Sequence, residues 1–338
     1  MFRGRAALRF FGVDSFVNDA GTRPRKWILT RISRADKGYS PVVSPFLCLI
    51  RYSALVANEN LAGRPLPIRA LRKGLTRAFQ STQKHALRMH RVLDRQRGKQ
   101  ISAGFCALAI MTKAPRAGTV KTRLQPPLTP SEAAELNTCF LRDIAAVISA
   151  AGERSQGVGV FTPVRSEKEY EGILPSHFDL IPQRGNGFGE RLTNAADDLL
   201  HVGFESCCLI NSDSPTATVE AFGEAVAQLQ DADDRIVLGP SDDGGYYLIG
   251  MRKLNRHLFE EIDWSTERVF AQTDERAREV GLKVHVLPKF YDVDDGATLR
   301  RLCEELLRRN SRGDIAPVTT KFLAELIARE GWERLCPQ

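Results

Sequence analysis

The sequence predicts an α/β protein, a three-layer α/β/α sandwich around a mostly parallel sheet, preceded by a basic N-terminal extension. From residue 101 onward, apolar strands alternate with helical patterns, which is typical of βαβ units and therefore of a parallel sheet. Charge is divided along the chain. The first hundred residues hold 21 Lys and Arg against 5 Asp and Glu, and the remainder holds 27 against 36. We therefore expect a basic arm on an acidic folded body.

The predicted elements follow one another from residue 105 to residue 309. They are strands over 105–111, 157–163, 177–183, 207–211, 235–240, 245–251 and 283–288, and helices over 129–152, 189–204, 218–230, 266–280 and 296–309. The helix that starts at 129 opens with Thr129 and Glu132 in a cap region and stops at Gly152. The main domain is predicted to span 101–310, and a helical tail 311–338.

Residues 1–100 are predicted to be a basic extension of low order, because turn residues and Arg clusters alternate there without a sustained period. Two alternatives stay open. The Arg and Lys side chains could contact nucleic acid or an anionic membrane, although aromatic interleaving is lacking, so nucleic acid is not the favoured partner. The start could also be mis-assigned, with translation beginning near Met89.

Cysteine usage and hydropathy exclude several classes of protein. The seven cysteines form an odd set without a C-x-x-C pair, which argues against a disulfide framework or a zinc site and favours a reducing, cytoplasmic setting. No uncharged apolar run reaches the ~18 residues of a transmembrane helix. We therefore expect no membrane span.

In parallel sheets, ligands bind at the carboxyl ends of the strands, so the turns there are the places to look for chemistry. The first is "KAPRAGTVKTRL" over 113–124, which almost spells a phosphate-binding P-loop. Pro115 and Val120 stand where that motif needs glycines, so this interpretation fails. What remains is a turn at Gly118 and a set of cations suited to phosphate, with a solvated basic loop as the alternative. The cations are Lys113, Lys121 and Arg123.

The second turn is "LINSDSP" over 209–215, where an apolar strand ends in Asp213. A single carboxylate with water ligands suits Mg²⁺ or Mn²⁺ bridging a diphosphate. The alternative is that Ser214 or Thr216 simply caps the following helix.

Two further acidic turns follow. In "GPSDDGGYYLIG" over 239–250, Asp243 precedes Gly244 and Gly245, which allow close approach of the backbone to a ligand; a D-G hairpin turn is the alternative. In "FYDVDDGATL" over 290–299, Asp292 and Asp294 share a side if the segment is extended, and Asp295 suits a helix N-cap.

A glycine-rich stretch, "QRGNGFGERL" over 183–192, precedes a helix and contains Gly187 and Arg191. Backbone amides at that helix start could hold an anion or a base edge. We therefore count both residues as candidate substrate-binding residues.

Taken in order with "DWST", these motifs resemble the bacterial GT-A-like nucleotide-diphospho-sugar transferase family, whose members are often labelled glycosyltransferases of arsenosugar biosynthesis. The layout is more distantly similar to that of 2-phospho-L-lactate and molybdenum-cofactor guanylyltransferases. The resemblance covers roughly residues 104–309 and implies the GT-A fold, a nucleotide-sugar-like ligand and a divalent ion.

Carried over by position, the resemblance implies roles for individual residues. Asp213 and Asp294 would bind the metal, and Lys121 and Arg123 would contact the phosphates. Asp243, Gly244 and Gly245 would line the acceptor side. Asn211 departs from the pattern, where a small residue such as Gly is expected.

The main hypothesis is thus a metal-dependent transferase acting on a nucleoside-diphosphate-linked donor and a small-molecule acceptor, with glycosyl transfer as the reaction. Asp213 and Asp243 are the candidate catalytic residues, and the base is open among Asp242, Asp243 and Asp263. One alternative is a nucleotidyltransferase that uses a nucleoside triphosphate and releases pyrophosphate. Another, from a different class, is a non-catalytic nucleotide- or nucleic-acid-binding protein. The oligomeric state is left open.

Overall fold

The structure, a computed structural model, describes residues 89–230, 234–307 and 315–336. The prediction of a poorly ordered basic arm falls, up to residue 88, outside the described residues.

A single sheet of eight strands forms the centre of the described part of the chain. Its strands are β1 (Arg91–Val92), β2 (Cys106–Lys113), β3 (Ser155–Thr162), β4 (Asp179–Pro182), β5 (Ser206–Ile210), β6 (Arg235–Pro240), β7 (Tyr246–Met251) and β8 (Lys283–Val286). They lie side by side in the order β1-β4-β3-β2-β5-β7-β6-β8. Only β7 runs antiparallel to its neighbours, so the predicted mostly parallel α/β fold is confirmed.

Seven α-helices accompany the described strands. They are α1 (Pro130–Ala150), α2 (Phe188–His201), α3 (Val219–Gln230), α4 (Val269–Glu279), α5 (Gly296–Leu307), α6 (Pro317–Glu330) and α7 (Trp332–Leu335). Apolar residues of α1 and α3 pack on one face of the sheet, and those of α2 and α4 on the other. The result is the predicted three-layer sandwich.

Strand β2 shows why both faces are covered. Leu108 and Ile110 join the core under α1 and α3, whereas Ala107 and Ala109 join the core under α2. All four are fully buried, as expected for a central parallel strand whose side chains alternate between two helical layers.

The folded body begins before residue 101, and this differs from the predicted domain boundary. Strand β1 pairs with β4, with Arg91 opposite Asp179, and the Arg91 guanidinium donates two hydrogen bonds of 2.7 and 2.6 Å to that carboxylate. Leu93 is 1% exposed and lies in the core under α2. A two-residue edge strand is too short to give the alternating pattern by which strands are found in a sequence.

The C-terminal helices pack against α1 rather than against the sheet. Leu323 and Leu326 of α6 join residues of α1 and α5 in a third core. The buried carboxylate of Asp143, on α1, accepts hydrogen bonds from the backbone N–H groups of Val318 and Thr319, at 3.0 and 2.8 Å. That carboxylate thereby serves two of the orphan donors in the first turn of α6.

Helix α1 begins with the capping box that the sequence indicates. The Thr129 hydroxyl accepts from the Glu132 N–H, and the Glu132 carboxylate accepts from the Thr129 N–H. The same carboxylate receives two hydrogen bonds from Arg334, at 3.1 and 2.7 Å. The hydrogen bonds from Arg334, followed by those from Thr129, lower the pKa of Glu132 to about 2. Glu132 thus joins the start of α1 to the end of the chain.

Replacing Glu132 by Gln should lower the free energy of unfolding at pH 7 by about 1 to 3 kcal/mol, because a charged hydrogen bond is lost while the amide can still serve the capping box. The folded pKa lies below the unfolded one. The contribution is therefore present above the unfolded pKa of about 4.3 and is lost as the pH falls towards 2. Urea unfolding of both proteins at pH 7 and pH 3 measures it. An equal effect of the substitution at both pH values would contradict the ion pair.

Candidate functional site

Two adjoining cavities open at the carboxyl edge of the sheet. The larger has a volume of about 1090 Å³. It is bounded by the end of β5, the start of β7, the start of α2 and the loop before α4. The smaller, of about 280 Å³, lies beside the loop that follows β2. Arg123, Ser212, Asp213 and Asp294 line both cavities, so they form the wall between them.

The topology brings three distant segments to this wall. Strands β2 and β5 are parallel neighbours, so the loop after Lys113 and the turn after Ile210 lie side by side. The chain that leaves β8 follows the end of β6, where the Phe290 N–H donates to the Pro240 carbonyl, 3.2 Å away. It then reaches β5, where the Val293 N–H donates to the Asp213 carbonyl, 2.9 Å away. Asp294 is thereby placed next to Asp213.

The side chain of Lys121 joins all three segments. Its Nζ lies 2.6 Å from Asp213 Oδ1, 3.2 Å from Asp294 Oδ1 and 2.7 Å from the carbonyl oxygen of Val293. An ammonium group has three protons, so each proton has an acceptor here. The side chain is only 5% exposed. Burial alone would lower the pKa of Lys121, but the carboxylates of Asp213 and Asp294 outweigh it, and the pKa is raised.

Arg123 completes the ion-pair network from the solvent side. Its Nη2 lies 2.6 Å from Asp294 Oδ2, and its side chain is 74% exposed. Lys113, also exposed, lines the smaller cavity and has no ion-pair partner among the residues that the structure describes. Arg123 and Lys113 are therefore the two cations that a ligand in the smaller cavity can reach directly. The three protons of Lys121 already have acceptors in the protein.

A third carboxylate, that of Asp292, lies beside the wall. Its Oδ1 accepts hydrogen bonds from Asn211 Nδ2 at 2.7 Å and from Ser214 Oγ at 2.5 Å. Burial, together with the negative charges of Asp213 and Asp243, raises the pKa of Asp292 to about 6, although the Ser214 and Asn211 hydrogen bonds oppose the shift. Asn211, which departs from the family pattern, therefore has a definite role in holding Asp292.

The cap interpretation of the β5 turn is not what the structure shows. Helix α3 is served by Thr218, whose Oγ1 accepts from the Ala221 N–H at 3.3 Å, rather than by Ser214 or Thr216. Asp295, in contrast, acts as the expected cap of α5, because its Oδ1 accepts from the Thr298 N–H at 2.8 Å.

The turn between β6 and β7 contributes Asp243 to the larger cavity. Asp243 Oδ1 accepts from the Gly245 N–H at 2.9 Å, and both residues line the cavity. Gly244 has φ +84°, and a Cβ at this position would lie 2.1 Å from the carbonyl oxygen of Glu267. Gly244 therefore serves the close packing of this turn on the loop before α4, and it does not line either cavity.

Several residues predicted for the site lie elsewhere. Gly118, Gly187 and Arg191 line neither of the two cavities, and Arg191 instead donates to the carbonyl oxygens of Gly185 and Asn186. Of the other acids considered as a base, Asp242 pairs with Arg301 at 2.7 Å and Asp263 with Arg268 at 2.9 Å, both outside the cavities. Asp243 is the one member of that group of three that faces the larger cavity.

An aromatic wall, defined as Phe188 and Trp264, is a feature that the sequence did not indicate. The two rings meet edge to face with centroids 5.1 Å apart, and Phe188 is 54% exposed in the larger cavity. Gly189 makes this possible, because a Cβ there would lie 2.6 Å from Trp264 Nε1. The signal was present in the "NGFG" and "DWST" motifs, but their residues come together only in the fold.

Part of the chain matches known proteins. Residues 149–266 match the model of a family described as uncharacterized proteins conserved in bacteria (DUF2064). The crystal structure of a candidate nucleotide-diphospho-sugar transferase from Desulfovibrio desulfuricans G20 is 28% identical, with a TM-score of 0.60; the match covers 67% of this chain and 96% of that one. The resemblance to the nucleotide-diphospho-sugar transferases is thereby confirmed. These matches support a transferase enzyme of this fold.

Two further solved structures are similar at a lower level. One is CMP:2-keto-3-deoxy-manno-octonic acid synthetase in complex with CTP, with 10% identity, a TM-score of 0.39 and coverage of 59% of this chain and 96% of that one. The other is 4-diphosphocytidyl-2C-methyl-D-erythritol synthase from Anaerococcus prevotii DSM 20548, with 13% identity, a TM-score of 0.36 and coverage of 54% and 86%. No curated protein sequence matches the chain.

Among the described residues, no helix combines the length and apolar character needed to span a bilayer.

Replacing Lys121 by Met should lower the free energy of unfolding by about 2 kcal/mol, because three hydrogen bonds of a buried ammonium group are lost while Asp213 stays partly buried. Replacing Lys113 by Met is the matched control. It removes an exposed cation from the same cavity and should cost less than about 0.5 kcal/mol. Urea unfolding at low ionic strength measures both. Equal stability of the two variants would show that Lys121 does not hold the three segments together.

Proposed function

We propose that the protein is a metal-dependent transferase that uses a nucleoside-diphosphate-linked donor, and that the group transferred is a sugar. The observation that carries the proposal is the convergence of Asp213 and Asp294 on one position, beside cations, at the wall between the two cavities. Hard oxygen ligands next to basic side chains suit a diphosphate with its divalent cation.

The charges at the smaller cavity support an anionic ligand. Lys113, Lys121 and Arg123 face two carboxylates there, so the lining carries a net charge of +1. A bound divalent ion would make the lining strongly positive, and a positive lining complements the negative charge of a diphosphate. In the larger cavity, by contrast, five acids outnumber the two cations Arg123 and Arg268; the acids are Asp213, Asp243, Glu267, Asp292 and Asp294. The phosphates therefore belong in the smaller cavity.

The donor atoms available fit Mg²⁺ or Mn²⁺. Asp213 Oδ1 and Asp294 Oδ1 both contact Lys121 Nζ, so the two carboxylates are held side by side, and a metal ion would bind them through oxygens that Lys121 does not occupy. Among the described residues, no group of three or more His, Cys, Asp or Glu side chains could hold a metal ion alone. The remaining ligands would thus come from phosphate oxygens and water, which is usual for Mg²⁺. When bound, such an ion stabilises negative charge on the leaving phosphate.

The chain's own residues divide the remaining work. Lys121 positions Asp213 and Asp294. Lys113, and the donor protons of Arg123 that do not face Asp294, donate to phosphate oxygens. The sequence predicts that Lys121 contacts a phosphate directly. We propose instead that Lys121 holds the carboxylates of Asp213 and Asp294 in place. We assign the role of proton acceptor for the attacking group to Asp243, since it is the candidate base that lines the larger cavity.

The larger cavity suits the remainder of the donor and the acceptor. Its volume of about 1090 Å³ is at the upper end of the range for small-molecule sites. The aromatic wall offers an apolar surface against which a sugar ring or another small acceptor can pack. The acidic balance of residues 101–338 makes nucleic acid an unfavourable partner. The six described cysteines are free and buried, which supports a reducing, cytoplasmic setting.

Replacing Asp213 by Asn should lower turnover at least 100-fold and abolish the metal dependence of nucleotide binding, because the variant loses a charged ligand at the leaving phosphate. The fold should be retained, since Asp213 is partly exposed. Asp234→Asn is the matched control, because that exposed acid pairs with Lys253 and both residues lie outside the two cavities. Thermal-shift measurements with nucleoside diphosphates, with and without Mg²⁺ or Mn²⁺, provide the binding readout. A folded Asp213→Asn variant that keeps its metal-dependent stabilisation would disprove the assignment.

Product analysis separates the proposed reaction from its alternatives. Phosphorus NMR of incubations with sugar nucleotides and acceptor mixtures should show release of a nucleoside diphosphate. Pyrophosphate release from a nucleoside triphosphate would instead identify a nucleotidyltransferase. Metal-dependent binding without any release in either incubation would point to a non-catalytic nucleotide-binding protein.

A further inference from the structure

The helix α1 carries one buried polar side chain whose oxygen has no protein partner. Asn137 is 4% exposed and lines the smaller cavity, and its Oδ1 forms no hydrogen bond in the structure. A buried acceptor without a partner is costly, so it is normally paired or removed. The apolar packing of the helix does not require a polar side chain at this position.

The contrast with the rest of α1 makes this clear. Leu136, Phe140 and Ile144 are apolar and fully buried, as the packing of α1 requires. The other buried polar residue of the helix with a side chain facing a neighbouring element, Asp143, is fully used as an acceptor for two N–H groups of α6. Asn137 Oδ1 accepts no hydrogen bond from any described residue. We therefore expect its hydrogen-bond donor to come from outside the protein.

The cations around the smaller cavity cannot supply that partner. Lys121 has already placed its three protons on Val293, Asp213 and Asp294. Arg123 is directed to Asp294, and the ammonium group of Lys113 forms no hydrogen bond or ion pair with any described residue. The amide of Asn137 therefore borders a space of about 280 Å³ that is lined by Lys113 and Arg123.

We propose that the side-chain amide of Asn137 binds the phosphoryl group that enters the smaller cavity, together with Lys113 and Arg123. This inference rests on the proposed function, since it assigns a further binding residue to the same site. An amide carries an acceptor at one end and two donor protons at the other, and rotation about its terminal bond exchanges the two. Nδ2 then donates to a phosphate oxygen, while Oδ1 accepts from a bound water or hydroxyl group.

The assignment explains why a neutral residue stands among charges. Lys113 and Arg123 provide attraction from the solvent side, but neither is fixed by burial. Asn137 is held by a buried helix, so its amide approaches the ligand from a fixed direction. Asn137 thus fixes the position of the phosphoryl group, and the two cations offset its negative charge.

The test is the affinity of the full-length protein for inorganic pyrophosphate in the presence of Mg²⁺, measured by calorimetry. Asn137→Leu should weaken binding about tenfold, which corresponds to about 1.4 kcal/mol. At the same time it should leave the unfolding temperature unchanged or raise it, because an unpaired buried oxygen is removed. Asn137→Ala, which loses the amide without adding bulk, should show the same loss of affinity. Thr138→Leu, next on the helix and lining neither cavity, is the matched control and should bind like the wild type.

The outcomes separate this inference from the proposed function. If the wild type binds pyrophosphate and both Asn137 variants bind it equally well, the amide only holds a trapped water and the inference is wrong, while the proposed function stands. If both variants lose affinity only in proportion to a lowered unfolding temperature, Asn137 is structural and the inference is again wrong. If the wild type itself binds neither pyrophosphate nor a nucleotide, the proposed function fails and the inference fails with it.

Discussion

The site depends on one buried ammonium group. Lys121 stands on the loop after β2, yet its three protons go to the end of β5 and to the segment before α5. These segments are separated by up to 173 residues in the chain, and like charges on Asp213 and Asp294 would otherwise repel each other. The ammonium group offsets that repulsion and holds the two carboxylates side by side. The proposed metal site requires such a fixed pair of acids.

The same arrangement keeps the surrounding charges in balance. Burial would favour a neutral lysine, but two carboxylates keep it charged, and Arg123 neutralises the outer oxygen of Asp294. Asp292 is in a different environment: burial, with the nearby charges of Asp213 and Asp243, raises its pKa to about 6, although the neutral donors Asn211 and Ser214 that hold it oppose the shift. Acids of the same type in one short segment thus have different environments, which allows them different roles.

Much of the fold could be predicted from the sequence because its elements are long and periodic. The capping box at Thr129 and the apolar run of β2 are local patterns, and both elements are present in the structure. Strand β1 was missed because two residues at a sheet edge give no periodic signal. The placement of Asp213 and Asp294 together followed from topology, since loops at the carboxyl ends of parallel strands meet at one edge.

The rest of the site depends on long-range contacts that no local pattern reveals. Lys121 read as a phosphate ligand, because nothing in its loop shows that it is buried against two acids. Phe188 and Trp264 belong to segments far apart in the chain, and their rings come into contact only in the fold, at the wall of the larger cavity. Arg191, in contrast, looked like a ligand contact but closes its own loop on Gly185 and Asn186. In each case the partner, rather than the residue type, decides the role.

The decisive measurement is anomalous diffraction from crystals grown with Mn²⁺ and a nucleoside diphosphate. We expect one manganese peak at coordination distance from carboxylate oxygens of both Asp213 and Asp294, with the diphosphate in the smaller cavity beside Arg123 and Lys113. A bound diphosphate with manganese elsewhere, or with Asp213 and Asp294 still held only by Lys121, would contradict it.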